Sequence, residues 1–387
     1  MEDQQNENRT FFDRRHLNPV KRWWIDIDKT NFILIISLMI FGLMMAFISS
    51  PAVAERISTG KFFFVKKQII FVVASIFIIT FISFFTKPQI KLMAISGFFT
   101  CLILLFLVLF FGSEAKGAKR WIMLFGFNLQ PSEFAKVFFL VANAYLLTNL
   151  KDLNFLIKYG ASTAFYAVIA ILLILQPDFG MTLVFTALWL IQLFVFGLPM
   201  FLIVLCGFLG IAGAVAAYWH LPHVADRINR FLNLDQANYQ VERSIDAYVN
   251  GGFFGTGPGN GIVKQYIPDA HTDFIFAVVA EEFGLISCLF LMVVLFFIIG
   301  RIIKYSLSER DLFVRLAVIG LASQIALQSL VNIAVSVGML PTKGMTIPFV
   351  SYGGSSLVAA SIGFGIILAL TRKKYEDKIK HSNLLIN

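Results

Sequence analysis

Ten runs of apolar residues, each long enough to cross a lipid bilayer, constrain this chain more than any other feature. They lie near 31–49, 62–85, 92–111, 131–148, 160–177, 179–197, 200–219, 273–300, 312–337 and 350–371, against a requirement of roughly 17 to 25 residues per transmembrane helix. In hydrocarbon each backbone amide must be satisfied within its own segment, so such runs fold as helices. Of 387 residues 58% are hydrophobic and 14% charged, and the mean hydropathy is +0.78. Water does not solvate a globule of that composition. The expected fold is an all-α polytopic membrane protein with ten transmembrane helices over 31–371, flanked by tails at 1–30 and 372–387.

Lys and Arg counts set the orientation. With ten alternating spans and the amino terminus inside, nineteen Lys and Arg fall on the cytoplasmic side and twelve in outer loops, with Lys136 in a span. Both termini are therefore expected in the cytoplasm. The net charge of +9 is accounted for by lipid-facing inner loops and implies no nucleic-acid partner. Cys101, Cys206 and Cys288 lie within apolar runs and give no disulfide framework. Ala52-Val53-Ala54 resembles a signal-peptidase site, but the run before it exceeds a signal peptide in length, so an uncleaved anchor is expected. Trp23 and Trp24 read as an interfacial anchor, and Lys66 and Lys67 as cations that snorkel to headgroups or touch lipid phosphate.

The longest stretch too polar for lipid, 220–272, separates the seventh and eighth runs and forms a large outer loop. Arg227, Arg230, Glu242, Arg243 and Asp246 are followed by a glycine-rich segment over 250–261. It matches no nucleotide-binding pattern and reads as a hinge that lets backbone approach a substrate or another loop. His220, His223 and His271 lack the spacing of a zinc site. The loop ends in Pro268-Asp269-Ala270-His271-Thr272-Asp273, and Glu281 and Glu282 follow inside the apolar run. A mid-membrane carboxylate costs about 2.5 to 3.5 kcal/mol. Counted as helix from Asp273, Glu281 lies about 12 Å deeper, within about 80° of the same face, and Glu282 points nearly opposite. These carboxylates are expected to meet a wet cavity or a cation such as Lys136.

A second polar set precedes the fourth run. Lys116, Lys119, Arg120 and Trp121 lead into Gln130-Pro131-Ser132-Glu133 and Lys136. Proline and an acid suit a first helical turn, and residues three apart pair on one face. This is either a capped helix with a local ion pair or, because the pair dips into lipid beside an Arg-Trp loop, a polar site. Gln176-Pro177-Asp178 repeats the theme, with Asp178 expected as a cap. Prolines and glycines over 338–356 break the chain before the tenth run, adding Lys343 to the outer cations. Two Ser-x-x-Lys matches, Ser58 to Lys61 and Ser113 to Lys116, lack companion motifs and read as chance.

Together Lys119-Arg120-Trp121, Gln130-Pro131-Ser132-Glu133, Gln176-Pro177-Asp178, His271-Thr272-Asp273-Phe274-Ile275-Phe276 with Glu281-Glu282, and Ser351-Tyr352-Gly353-Gly354-Ser355-Ser356 resemble the SEDS family. Leu340-Pro341-Thr342-Lys343-Gly344 is similar to its division (FtsW-like) branch more than to its elongation (RodA-like) branch. The resemblance implies a peptidoglycan glycosyltransferase that polymerises lipid II, an undecaprenyl-pyrophosphate-linked disaccharide peptide, at the outer face of the bacterial inner membrane during division at the septum. It implies a class B penicillin-binding protein as partner, with other division proteins. By the family pattern Asp273 is the catalytic carboxylate, and substrate binding falls to Lys119, Arg120, Trp121, Gln130, Ser132, Glu133, Lys136, His271, Glu281 and Lys343. Asp269 departs from the glutamate common at that position.

The residue inventory suits that chemistry. Joining sugars by displacing a lipid pyrophosphate needs a base for the acceptor hydroxyl and cations for the leaving group, rather than a glycosidase's acid and base pair. Asp273 is expected to take the proton while some of Lys119, Arg120, Lys136 and Lys343 hold the diphosphate, with inversion at the anomeric carbon. No organic cofactor is expected, and a divalent cation, magnesium or manganese, is compatible with the same diphosphate. The competing classes are a transporter that flips a lipid-linked sugar through Glu133, Lys136, Glu281 and Glu282, and a scaffold that would leave Asp273 without a task.

Overall fold

The apolar runs become helices, and in a computed structural model the described residues are 18–56, 58–115, 118–124, 127–220, 225, 229, 239–341 and 344–372. Lys116, His223, Arg227, Arg230, Thr342 and Lys343 lie outside them. A short helix α1 (Pro19–Asp26) is capped by the Asn18 side chain and precedes α2 (Lys29–Arg56), α3 (Phe63–Ser83) and α4 (Lys87–Phe111). Trp23 of α1 is buried, stacks on Phe84 and donates its indole N–H to Ser83 Oγ at 2.7 Å. Ala52-Val53-Ala54 lies inside α2. Then follow α5 (Pro131–Asn149), α6 (Phe155–Leu175), α7 (Phe179–Phe196), α8 (Met200–His220), α9 (Tyr239–Gly251), α10 (Ile275–Ser308), α11 (Leu312–Ser336) and α12 (Gly354–Thr371).

Eight of these, α2, α3, α4, α6, α7, α10, α11 and α12, are long and apolar enough to cross a membrane. That makes the chain a polytopic membrane protein. Helix α5 carries Glu133, Lys136 and Asn143, which dilute its apolar run. The core lies around α11 and α12, which bury 67% and 78% of their apolar windows, whereas the other six bury 28% to 44%. Small residues explain the difference for α12, since Gly, Ala and Ser let helix backbones approach. A Cβ at Gly354 would stand 2.4 Å from Phe71, and one at Gly365 2.9 Å from Ile82, both on α3.

One feature qualifies the all-α expectation. The loop after α4 is a three-stranded antiparallel sheet, β1 (Ser113–Ala115), β2 (Ala118–Leu124) and β3 (Phe127–Leu129) in that order. The long outer loop contains α9, which packs along α10.

Helix α10 is broken at Gly284 (φ 80°, ψ 174°). A Cβ there would meet the Phe253 carbonyl at 2.2 Å, so the outer loop approaches the helix axis only because glycine stands at the break. Asp273 precedes the helix, which begins at Ile275, and Glu281 and Glu282 lie fully buried in protein near that end, ahead of the break.

Candidate active site

The first wall of the site is the sheet and the start of α5. Arg120 stands at an irregularity in the β1–β2 register, where Trp121 pairs with Ser113 and Lys119 with Glu114. Arg120 Nε lies 3.3 Å from Asp178 Oδ2, and its Nη2 donates to the Pro177 carbonyl at 3.3 Å. Asp178 also caps α7, accepting from the Met181 amide at 3.2 Å. The cap expected of Asp178 is present, and the same carboxylate fixes Arg120. Lys119 is exposed and Trp121 half-buried. Ser355 Oγ at the start of α12 accepts from the Gln130 amide (3.1 Å) and donates to the Asn128 carbonyl (3.0 Å), joining sheet and α5 to the last helix.

One turn into α5, Lys136 donates to both oxygens of Glu133 at 2.9 and 3.0 Å. Lys136 is fully buried, and Ser132 and Glu133 nearly so. Gln328 of α11 adds a donor to Glu133 Oε2 at 3.3 Å. Four residues along the same face, about 6 Å higher, Asn332 donates to the main-chain carbonyls of Asp273 (2.8 Å) and Met345. Helix α11 therefore strings the Glu133–Lys136 pair and Asp273 onto one face. Sequence reading passed over Gln328 and Asn332, although polar residues four apart in an apolar run are the signal that would have found them.

Asp273 stands half-exposed in the turn before α10. Its amide donates to the Asp269 carbonyl at 3.1 Å, and a Cβ built on Gly344 would lie 3.0 Å from its Oδ2. The last outer loop thus closes over the carboxylate. The amino end of α10 favours an anion there. Asn332→Ala is expected to leave the Asp273 and Met345 carbonyls without this donor, costing roughly 1–3 kcal/mol. Thermal unfolding in detergent checks the cost.

His271 is buried between Phe64 and Tyr352, with ring centroids at 4.7 and 5.0 Å. Its carbonyl accepts from the Tyr352 amide at 2.9 Å, and Nδ1 finds no hydrogen-bond partner among the described residues. Burial pushes its pKa down to about 4. The folded ring is therefore neutral where an unfolded histidine, ordinarily near 6.5, takes up a proton. Unfolding binds a proton between those values, so stability is lost as pH falls from 6.5 towards 4 and is unaffected above 6.5. Thermal midpoints measured across that window are expected to fall less steeply in His271→Gln than in the wild type.

Glu281 and Glu282, both fully buried, turn towards the glycine-rich segment. Glu281 accepts from Asn250 Nδ2 (2.9 Å) and from the amides of Val263 (2.7 Å) and Lys264 (2.8 Å). Glu282 accepts from the Gly259 amide and pairs with Lys264 Nζ. A Cβ on Gly261 would collide with both carboxylates. The cation expected for this acidic pair is thus Lys264, eighteen residues upstream, rather than Lys136. The glycine segment's close approach is to α10 itself: the amides of Thr256 and Gly257 donate to the carbonyls of Glu281 and Glu282 at 2.9 and 3.0 Å.

The structure brings together Asp273, Glu133, Lys136, Gln328 and Asn332 through α11, and holds Arg120 against Asp178 at the sheet. It places Glu281 in the loop's bracing, and Lys343 lies outside the described residues. Comparison with known proteins gives one consistent answer. A probable peptidoglycan glycosyltransferase FtsW of Caulobacter vibrioides is 35% identical over 365 residues, covering 94% of both chains. Another, from Trichlorobacter lovleyi, is 34% identical and covers 89% of this chain and 93% of its own. Among solved structures, a chain of a peptidoglycan synthase complex that coordinates polymerization and crosslinking superposes with TM-score 0.76 at 27% identity, covering 92% of this chain and all of that one. The rod shape determining protein RodA of Thermus thermophilus superposes with TM-score 0.68 at 26% identity over 91% of this chain and 99% of its own. The model of the FtsW/RodA/SpoVE family, described as cell cycle proteins, matches residues 29–376, and the chain belongs to that family.

Proposed function

We propose that this chain is a peptidoglycan glycosyltransferase that polymerises lipid II at the outer face of the bacterial inner membrane, in the division branch of its family. The observation that carries the reading is the placement of Asp273: a half-exposed carboxylate at the amino end of α10, its main chain held by Asn332 on the helix face that also holds Glu133 and Lys136. Counting α5 and α8 as spans, the chain crosses ten times with both termini inside, which puts Asp273 outside.

In the proposed reaction Asp273 accepts the proton of the acceptor sugar hydroxyl as its oxygen bonds to the anomeric carbon. The bond from that carbon to the lipid diphosphate breaks in the same displacement, inverting the centre. Lys119 and Lys343 are the cations offered to the diphosphate, and Trp121, also on β2, is offered to a sugar. Arg120 and Lys136, each held by a carboxylate, shape the wall. Magnesium is ordinarily held by one or two carboxylates plus phosphate oxygens. Among the described residues no group of three or more His, Cys, Asp or Glu converges, so a divalent cation fits here as a guest of the diphosphate beside Asp273. The proposed partners are a class B penicillin-binding protein and other division proteins.

The test is incubation of purified protein and its cognate class B partner with labelled lipid II. Glycan polymer supports the reading. Lipid II translocation in vesicles without polymer would replace it with a transporter.

A further inference from the structure

Helix α9 is patterned inside out for a helix in water. Its buried residues are Ser244, Ala247 and Gly251, with Ser244 Oγ donating to the Ser336 carbonyl at 2.6 Å and the Tyr248 and Ser336 hydroxyls 2.9 Å apart. Two of its aliphatic residues are exposed, Ile245 at 45% and Val249 at 78%, and the turn that follows adds Phe253 at 70% and Phe254 at 84%. Positions 245 and 249 are four apart and share one face of α9, and Phe253 and Phe254 follow in the turn beyond the helix. A helix lays its apolar stripe against the medium that accepts it, so the medium on this side of α9 is apolar.

Main-chain bonds fix where that medium lies. The Leu285 amide donates to the Gly252 carbonyl at 3.0 Å and the Ile286 amide to the Phe253 carbonyl at 3.4 Å. Phe253 thus stands level with the first turn of α10 below its break, where Ile286, Leu289 and Phe290 are 53%, 61% and 68% exposed on a membrane-spanning helix. About twenty residues at 1.5 Å each cover a core of about 30 Å, so a span that ends near Arg301 starts close to this level. The aromatic tip is therefore continuous with the lipid-facing surface of α10, at the depth where aromatic side chains concentrate in membrane proteins.

We infer that the tip of the long outer loop, Phe253 and Phe254 with Val249 and Ile245 above them, is inserted into the outer leaflet of the bilayer. The surface it fits is lipid. Membrane contact would hold the loop down on α10, where Glu281 and Glu282 bind it, and so fix the height of Asp273 above the membrane. This deepens the proposed function, because a lipid-linked diphosphate also sits at that height, but the insertion itself does not depend on the reaction.

The experiment is spin labelling of the full-length chain with Cys101, Cys206 and Cys288 replaced by alanine, reconstituted in phosphatidylethanolamine and phosphatidylglycerol vesicles. Labels are placed singly at Val249→Cys, Phe254→Cys, Asn260→Cys as an aqueous control and Leu289→Cys as a lipid control. Collision with dissolved oxygen is compared with collision with a water-soluble nickel chelate. The expected result is that position 254 shifts to the oxygen-rich, nickel-poor behaviour of position 289, and 249 part of the way. A label at 254 that matches position 260 in vesicles overturns the inference. So does one that becomes shielded only after a class B penicillin-binding protein is added, since the patch is then a protein interface. Phe253→Ser in the Val249→Cys background supplies a second reading: loss of insertion moves the label towards the nickel reagent, and no movement overturns the role given to Phe253. Activity enters none of these readouts, so failure here leaves the glycosyltransferase reading standing.

Discussion

Replacing Asp273 by asparagine is expected to abolish glycan polymerisation while leaving the fold and lipid II capture in place. The substitution keeps size and shape and removes the negative charge, and with it the ability to accept a proton. The main chain at this position is anchored independently of the side chain, through Asn332 to the Asp273 carbonyl and through the Asp273 amide to Asp269. Loss of a positioned general base costs about 10²–10⁴ in rate. The comparison that makes the assignment specific is Glu133→Gln. Both oxygens of Glu133 are bonded to Lys136 within buried structure, so its loss is expected to disturb the cavity and lower stability along with rate. Asp273→Asn should lose far more in rate than in unfolding midpoint. Polymer length and initial rate on labelled lipid II measure the first effect, and thermal unfolding the second. Asp273→Asn polymerising at the wild-type rate would remove Asp273 from the proton transfer.

The helices were legible because lipid imposes one rule on all of them. The apolar run near 179–197 became α7 (Phe179–Phe196), and the run near 312–337 became α11 (Leu312–Ser336). Asp178 was readable as a cap from Gln176-Pro177-Asp178 alone. What pattern could not reveal was pairing between distant segments. Lys264 reaches Glu282 and Arg120 reaches Asp178 only after folding, and nothing local marks either cation. Hydropathy carries straight through Gly284, so nothing in the pattern marks the break in α10. The sheet over 113–129 was missed for a related reason: its strands are short and take their order from one another. Gln328 and Asn332 were visible as a stripe, yet their use depended on Glu133 and the turn at Asp273 arriving on the same face of α11.

Lys264→Met is expected to be the most damaging single change to stability among those considered. Lys264 is 5% exposed and Glu282 fully buried, and the ammonium is the one cation on that carboxylate among the described residues. Removing one partner of a buried ion pair leaves an uncompensated charge and typically costs about 3–5 kcal/mol. The Gly259 amide remains on Glu282, but a single neutral donor does not replace a full charge. Adding Glu282→Gln to Lys264→Met removes the stranded charge and keeps an acceptor for Gly259, so the double variant should recover most of the loss. Non-additivity in that cycle is the direct measure of the pair. Glu281 still holds the amides of Val263 and Lys264 in every variant, so the loop stays attached there. Turnover in the double variant should therefore recover with stability, because Asp273 depends on the loop's position and not on the charge of Glu282. Unfolding midpoints of the four proteins decide it. A Lys264→Met protein as stable as the wild type would mean that the rim of α10 is wet enough to solvate Glu282, and that the loop is held there by Glu281 and the glycine backbone alone.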